Sequence, residues 1–362
     1  MRNARLLRGV ATGGIAAIAV IAGLVPSRAH AGSTITVVAD GIDNPRGLAV
    51  APSGTLYVAA VGVGGDQACM PSPEGGTSCV GLSGQLLAIA QGNVSTVASG
   101  FVSVADQGTG MAATGMDGVT LRDGSPYVIM TSAGPRIPPH TATGPLLGAA
   151  RHQLGNVLRV NGGGNTAKVA DIDDFEFTFN PIDDVDSNPY ALAAAPDGSL
   201  VAADAAGNTV LRVQRGGKVS LIAAIADINP DPNNRIQAVP TGVAVDAAGN
   251  IYVSELASFV PGAASILKIT TDGQVSTVAS GLWALTSIAL DPNSGALYAT
   301  EFARGDLVRV NPDGSVDHLV DGELVTPGGV AVASDGSVYV SNFSIFPGSG
   351  PGPHGQIVRV VP

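Results

Sequence analysis

One pattern, written six times from residue 44 onward, constrains this chain more than any other feature. An apolar segment follows a proline or an equivalent slot, then a tight turn with glycine, then a second apolar segment that often carries a tyrosine. The copies read "NPRGLAVAPSGTLYVAA", "MDGVTLRDGSPYVIM", "NPYALAAAPDGSLVAAD", "VPTGVAVDAAGNIYVSE", "LTSIALDPNSGALYATE" and "TPGGVAVASDGSVYVSN". A third apolar segment follows each: "GQLLAI", "GNVLRV", "NTVLRV", "SILKI", "DLVRV" and "GQIVRV". Segments this short, bounded by Gly, Pro, Asp and Asn, are strands, and no long stretch after the first thirty or so residues has helical periodicity.

Repeats of about 40 to 50 residues built from four short strands are the signature of a β-propeller, in which each blade buries its faces against its neighbours. The expected fold is all-β, a six-bladed NHL/TolB-like ring over residues 35 to 362. The last repeat ends without a fourth strand, while a spare one, "ITVVADG" at 35 to 41, precedes the first repeat. The N-terminal strand is therefore expected to close the ring, which removes exposed sheet edges. In blades of this kind the first and third connections share one face, and here they are short. The long connections, 61 to 83, 131 to 153, 171 to 188, 257 to 264 and 343 to 354, all fall on the other face. Long loops on a rigid ring are where binding resides.

Ahead of the repeats, Arg2, Arg5 and Arg8 precede an uncharged run from Gly9 to Val25 and an Ala29-His30-Ala31 cleavage signal. Residues 1 to 31 read as a secretory signal peptide. The apolar run is short and no cysteine follows it, which argues against stable membrane insertion and against a lipoprotein. The expected localisation is secreted or in the cell envelope. Cleavage removes four of the 18 basic residues and none of the 29 acidic ones, moving the formal charge from -11 to -15 (14 basic against 29 acidic). A surface this acidic excludes nucleic acid and anionic lipid as partners. Cys69 and Cys79, in "CMPSPEGGTSC", are the only cysteines. In an exported chain they predict a local disulfide, since no further Cys or nearby His completes a metal-ligand set.

At "NPRGLAVAPSGTLYVAAVGVGGDQACMPSPEGGTSCVG" and "DSNPYALAAAPDGSLVAADAAGNTVLRV" a specific resemblance emerges, supported by "VPTGVAV", "SELASFVPGAA" and "SNFSIFPGSGPGPHGQIVRV". The chain resembles the ScyD/ScyE family of exported NHL-like propeller proteins, in order from about residue 35 to 362. The resemblance implies a six-bladed ring and no particular reaction, the family having no settled activity. It also implies a "GPHDV"-like stretch in the second blade, where this chain has "GMDGV" at 115 to 119. No role of that histidine carries over.

The residue after the proline slot opens each innermost strand at the top of the channel. In repeat order this ring holds Arg46, Asp117, Tyr190, Thr241, Thr286 and Gly328, with Asn44, Asn188 and Asp186 beside it in sequence. The stretch "DDVDSNPY", residues 183 to 190, begins like a calcium loop, with Asp184, Asp186 and Asn188 at the one, three and five positions. Such a loop needs Gly at its sixth position and a bidentate Glu at its twelfth. Here those places hold Pro189 and Ala195. Three readings stay open. Arg46, Asp117, Tyr190, Thr241, Asn44 and Asn188 form a polar mouth for a small ligand. Alternatively, Asp186 and Asp184 help to hold calcium there, as in lactonases built on six-bladed propellers, although a cation would have to tolerate Arg46. In the plainest reading these residues only tie adjacent blades together.

A second ring, Asp204, Glu255, Glu301 and Asn342, ends the tyrosine strands, where short acids are expected to accept hydrogen bonds from turn N–H groups; the alternative is a partial collar of negative charge on the long-loop face, suited to cations or cationic ligands. Arg159, Arg212, Lys268, Arg309 and Arg359 stand one per blade, so they form no nucleic-acid stripe; pairing with acidic turn residues such as Asp313 is expected. His140, His152, His318 and His354 make no recognisable nucleophilic motif. A quinone-dependent dehydrogenase would need several basic residues at the mouth, and only Arg46 qualifies. Trp283 is expected under the crossover into the fifth blade. The expected function is that of an exported binding or scaffold protein of the ScyD/ScyE type. It takes a small molecule or a protein partner on its long-loop face and needs no cofactor. The alternative is a calcium-dependent lactonase-like hydrolase, and whether the chain is an enzyme stays open.

Overall fold

In a computed structural model, which describes residues 33–72, 76–131, 144–181, 185–345 and 355–361, the repeats become six antiparallel sheets arranged as a six-bladed propeller. Strand β1 (Thr34–Ile42) precedes the first blade, made of β2 (Pro45–Val50), β3 (Leu56–Ala60), β4 (Ala68–Pro71), β5 (Thr77–Ala90) and β6 (Asn93–Asp106). The second holds β7 (Met116–Arg122), β8 (Ser125–Met130), β9 (Asn156–Val160) and β10 (Thr166–Asp171); the third, β11 (Pro189–Ala194), β12 (Leu200–Asp204), β13 (Thr209–Val213) and β14 (Val219–Ala224). The fourth is β15 (Pro240–Val245), β16 (Ile251–Glu255), β17 (Ala264–Ile269) and β18 (Val275–Leu282), and the fifth β19 (Leu285–Leu290), β20 (Leu297–Glu301), β21 (Asp306–Val310) and β22 (Val316–Val320). The sixth has only β23 (Val330–Val332), β24 (Val338–Asn342) and β25 (Gly355–Val361) from its own repeat. Its outer strand is β1, antiparallel to β25 from Thr34↔Val361 to Ile42↔Gly355. The ring is closed as the sequence predicts.

The core lies between blades, not within them. One cluster joins Ala59, Leu86 and Phe101 of the first blade to Met116, Val128 and Leu158 of the second, and similar clusters fill every other junction of the ring. Each fully buried Leu, Val or Phe in them contributes roughly 1.5 to 3 kcal/mol through water exclusion. Close approach at the hub depends on glycine. A Cβ at Gly47 would lie 2.8 Å from Asp117 O, at Gly118 2.9 Å from Tyr190 O, at Gly242 2.8 Å from Ile288 N and at Gly329 2.3 Å from Arg46 O. The third residue of the innermost strand in blades one, two and four, and Gly329 just ahead of β23, thus touch the backbone of a neighbouring blade.

Because strands alternate in direction, the connections between second and third strands share a face with the crossovers between blades. Two short helices missing from the sequence reading lie in them. Helix α1 (Gly144–Gln153) sits in the second-blade loop, where Leu146 is buried and the Gln153 amide bonds Val102 N at 2.7 Å and Gly100 O at 3.0 Å. Helix α2 (Ile172–Phe179) sits in the next crossover, capped by the Asp171 carboxylate on Asp174 N. Strands β5 and β6 run past the propeller body and form, with β4, a three-stranded projection. Cys69 and Cys79 are directly opposite in it and are joined by a disulfide. No helix among the described residues is long and apolar enough to cross a membrane. The expected signal segment, residues 1 to 31, lies outside the described residues, as do His140, His354 and Asp184.

Candidate functional site at the channel mouth

The innermost strands surround a central cavity of about 310 Å³. Below its rim the innermost strands line the cavity, with Leu48, Val119, Leu192, Val243, Ile288 and Val330 among its residues; at the rim stand Arg46, Asp117, Tyr190, Thr241, Thr286 and Gly329. In five blades the register slips between the first residues of the innermost strand: Pro45/Leu48, Met116/Gly118, Pro189/Ala191, Pro240/Gly242 and Leu285/Ser287. In these five blades the rim residue therefore occupies a β-bulge, the irregularity that re-aims a side chain at the end of a strand. The sixth blade contributes Gly329 to the rim lining rather than its neighbour Gly328.

Arg46 and Asp117 face each other across adjacent blades. Arg46 Nε is 3.7 Å from Asp117 Oδ1, and both side chains are almost wholly buried. One guanidinium nitrogen donates to Ala113 O at 2.7 Å. Neither Arg46 Nε nor Asp117 Oδ1 has a hydrogen-bond partner. Burial pushes the Asp117 carboxyl up to about 6; the Arg46 charge and the Gly115 N–H oppose the rise without cancelling it. Burial also raises Tyr190, and the charges of Arg46 and Asp117 act on it in opposite directions. These three side chains form one electrostatic unit.

The other rim residues are hydrogen-bonded to neighbouring blades. Thr241 Oγ1 donates to Leu285 O at 2.6 Å and Thr286 Oγ1 to Pro327 O at 2.8 Å, while Ser341 Oγ donates to Arg46 O at 2.6 Å. Asn44, fully buried, uses its amide nitrogen on Gly62 O and Gly110 O. Asn188 Oδ1 accepts from Thr131 Oγ1 at 2.6 Å. Asp186 lies in the crossover just before it, its Oδ1 accepting from Ser187 N at 3.0 Å.

The second ring behaves as turn chemistry predicts. Asp204 accepts from Asn188 N and Gly207 N, Glu301 from Trp283 N, and Asn342 from Val325 N. Burial raises Asp204 and Glu301 and takes Glu255 to about 7. The Trp283 indole reaches across to Phe259 O at 2.9 Å. Arg212 pairs with Asp197 and Arg359 with Asp335, both in first turns, but Arg309 pairs with Asp317 of β22 instead of Asp313. The reason is register: Arg309 and Asp317 are directly opposite, and Asp313 is held by Ser315. One group escaped the sequence reading. Glu301, Asp306 and His318 bring ligand-type atoms within 4.8 Å of one another, and the signal was an acid on each side of a four-residue turn.

No protein-family profile matches the sequence. No curated protein matches it either. Solved structures do match in shape. A gluconolactonase from Xanthomonas campestris is similar at TM-score 0.56 and 11% identity, over 91% of this chain and 89% of that one. A PQQ-bound aldose sugar dehydrogenase from Streptomyces coelicolor is similar at 0.55 and 16%, over 91% and 99%. A streptogramin B lyase is similar at 0.51 and 13%, over 91% and 97%. At such identities these likenesses establish the six-bladed propeller, and nothing finer than the fold.

Proposed function

We propose that this chain is an exported binding propeller, of the ScyD/ScyE type its motifs resemble, that takes a small molecule at the channel mouth on its long-loop face. The observation that carries the reading is the Arg46–Asp117 pair. A buried ion pair whose facing atoms lack hydrogen bonds recovers too little to offset its desolvation, and hydrophobic residues in its place would be at least as stable. Such a pair at the top of a cavity, with a displaced carboxyl, is the arrangement expected of a binding site. The ligand that fits is small and has a hydrogen-bonding or charged head for Arg46, Asp117 and Tyr190. A protein partner on the same face would cover the mouth instead of entering it. Thermal-shift screening of small hydroxy and carboxy compounds tests the reading. The expected result is a saturable rise in melting temperature that Arg46→Met abolishes, and a panel that leaves the melting temperature unmoved overturns it.

The likeness to a gluconolactonase favours a second reading, a lactonase-like hydrolase at the same mouth, and Asp117 near 6 suits proton transfer at neutral pH. The calcium-dependent form of that reading draws less support from the described rim residues, Asp184 lying outside them. Calcium takes six to eight oxygens. The rim offers one carboxylate, already facing a guanidinium, and beside it the Asn44 amide oxygen, which has no hydrogen-bond partner, adds a single further ligand. Lactone hydrolysis that survives EDTA and falls in Asp117→Asn would support metal-independent acid–base chemistry. Turnover that EDTA abolishes would restore the metal.

A further inference from the structure

Blade five departs from its neighbours at one pair of positions. In the third blade Asp204 lies opposite Thr209, in the sixth Asn342 lies opposite Gln356, and in the fourth Glu255 accepts from both the backbone and the hydroxyl of Ser265. Each of these acids or amides meets a neutral partner. In blade five Glu301 lies directly opposite Asp306, and both are buried. Like charges in cross-strand register destabilise a sheet unless something neutralises them.

His318, on the adjacent strand β22, reaches the same place, with Nδ1 3.0 Å from Asp306 Oδ2. The two carboxylates are fixed from outside: Glu301 Oε1 holds Trp283 N–H at 2.6 Å and Asp306 Oδ1 holds Gly322 N–H at 2.7 Å. Glu301 Oε2 is buried without a hydrogen-bond partner. An acceptor left among acceptors is satisfied only by a proton or a cation. Arg304 competes for Asp306, with Nε 3.4 Å from Oδ2, but its side chain is 45% exposed and hangs from a surface turn.

We propose that Glu301, Asp306 and His318 bind a divalent transition-metal ion of the zinc class on the long-loop face of blade five, away from the channel axis. Two carboxylates and an imidazole supply too few oxygens for calcium and a nitrogen that magnesium avoids, whereas they suit zinc and its neighbours. Ligand atoms about 2.0 to 2.1 Å from a tetrahedral ion stand roughly 3.3 Å apart, close to the His318–Asp306 separation. His318 is one-third exposed and opens the site to solvent. The ion would tie the crossover into blade five, at Trp283, to the one leaving it, at Gly322. The site is independent of the channel mouth.

The test uses the full mature chain, stripped with EDTA and titrated with Zn²⁺ by calorimetry, with Co²⁺ as a visible-absorbing substitute. One equivalent is expected, with a rise in melting temperature and a ligand-field band in the cobalt form. His318→Ala, on a partly exposed strand, should fold and lose at least ~100-fold in affinity, more than a lost second-shell contact costs. Glu301→Gln keeps an oxygen for Trp283 N and should lose affinity as well, while Arg304→Ala should bind more tightly. Asp117→Asn should leave binding unchanged. Absence of zinc binding by the folded wild-type chain overturns the proposal, as does binding that survives both His318→Ala and Glu301→Gln.

Discussion

Replacing Asp117 with Asn should make the protein more stable at neutral pH, and by an amount that depends on pH in a stated way. The carboxyl stands at about 6 in the folded chain against an ordinary 3.8. A group whose folded value is raised contributes stability that is complete below the unfolded value and is lost as pH rises through the folded one. For Asp117 the window runs from about pH 4 to pH 6 or 7. At about 1.4 kcal/mol per pH unit, the gap is worth about 3 kcal/mol. The amide has the carboxyl's shape, so wild type and Asp117→Asn should be similar in stability near pH 4, where both side chains are neutral. They should then diverge until the wild type is less stable by about 3 kcal/mol at pH 7.5. Urea denaturation of the two proteins at half-unit steps measures the difference, from which the titration of every distant group cancels. A difference that stays flat from pH 4 to 8 would refute the reasoning, because it would mean that Asp117 titrates alike in both states. A wild type that gains on the variant as pH rises would reverse the sign, and would show that the attraction of Arg46 exceeds the cost of burial.

Other perturbations read other parts of the ring. Gly329→Ala puts a methyl 2.3 Å from Arg46 O and should cost about 1 to 3 kcal/mol in urea denaturation; an unchanged midpoint would show that the hub tolerates separation. Reduction of Cys69–Cys79 releases a short loop and should lower stability by about 2 to 3 kcal/mol, seen by comparing denaturation with and without reductant. Glu255, raised from 4.5 to about 7 by burial, should contribute stability present below pH 4.5 and lost through pH 7, a slope that Glu255→Gln removes. Deletion of residues 33 to 43 strips β1 from β25, and size-exclusion chromatography should then show association through the open edge.

The architecture was legible because it is written in short-range terms. Each blade announces its turn with a glycine such as Gly54 or Gly336 and its strands with alternating apolar residues, and repetition does the rest. Helices α1 and α2 were illegible for the same reason: they occur once each, inside connections, with no repeat to reveal them. At the mouth, the repeat slot located Arg46, Asp117 and Tyr190, but it could not show that Asn44 faces two carbonyls or that Thr241 bonds the next blade. Those facts depend on how blades abut. Asp306 and His318 were missed because their meeting with Glu301 is set by strand pairing and by the bulge between Leu307 and Val308, and neither feature leaves a mark on local sequence.

The seam of the ring has a consequence for how the chain acquires its fold. Among the described strands β1 comes first along the chain and is paired only with β25, which comes last. Whatever passes this chain along from its N-terminus, ribosome or export channel, handles a molecule whose circle is still open. Adjacent blades can pair and pack as they emerge, since their contacts are local, but the sixth blade lacks its outer strand until both termini meet. Closing over nearly the whole length is entropically slow, though the added cost grows only with the logarithm of the loop. The closed ring therefore needs both β1 and β25: a copy without β1 bares the β25 edge, and a copy without β25 bares β24.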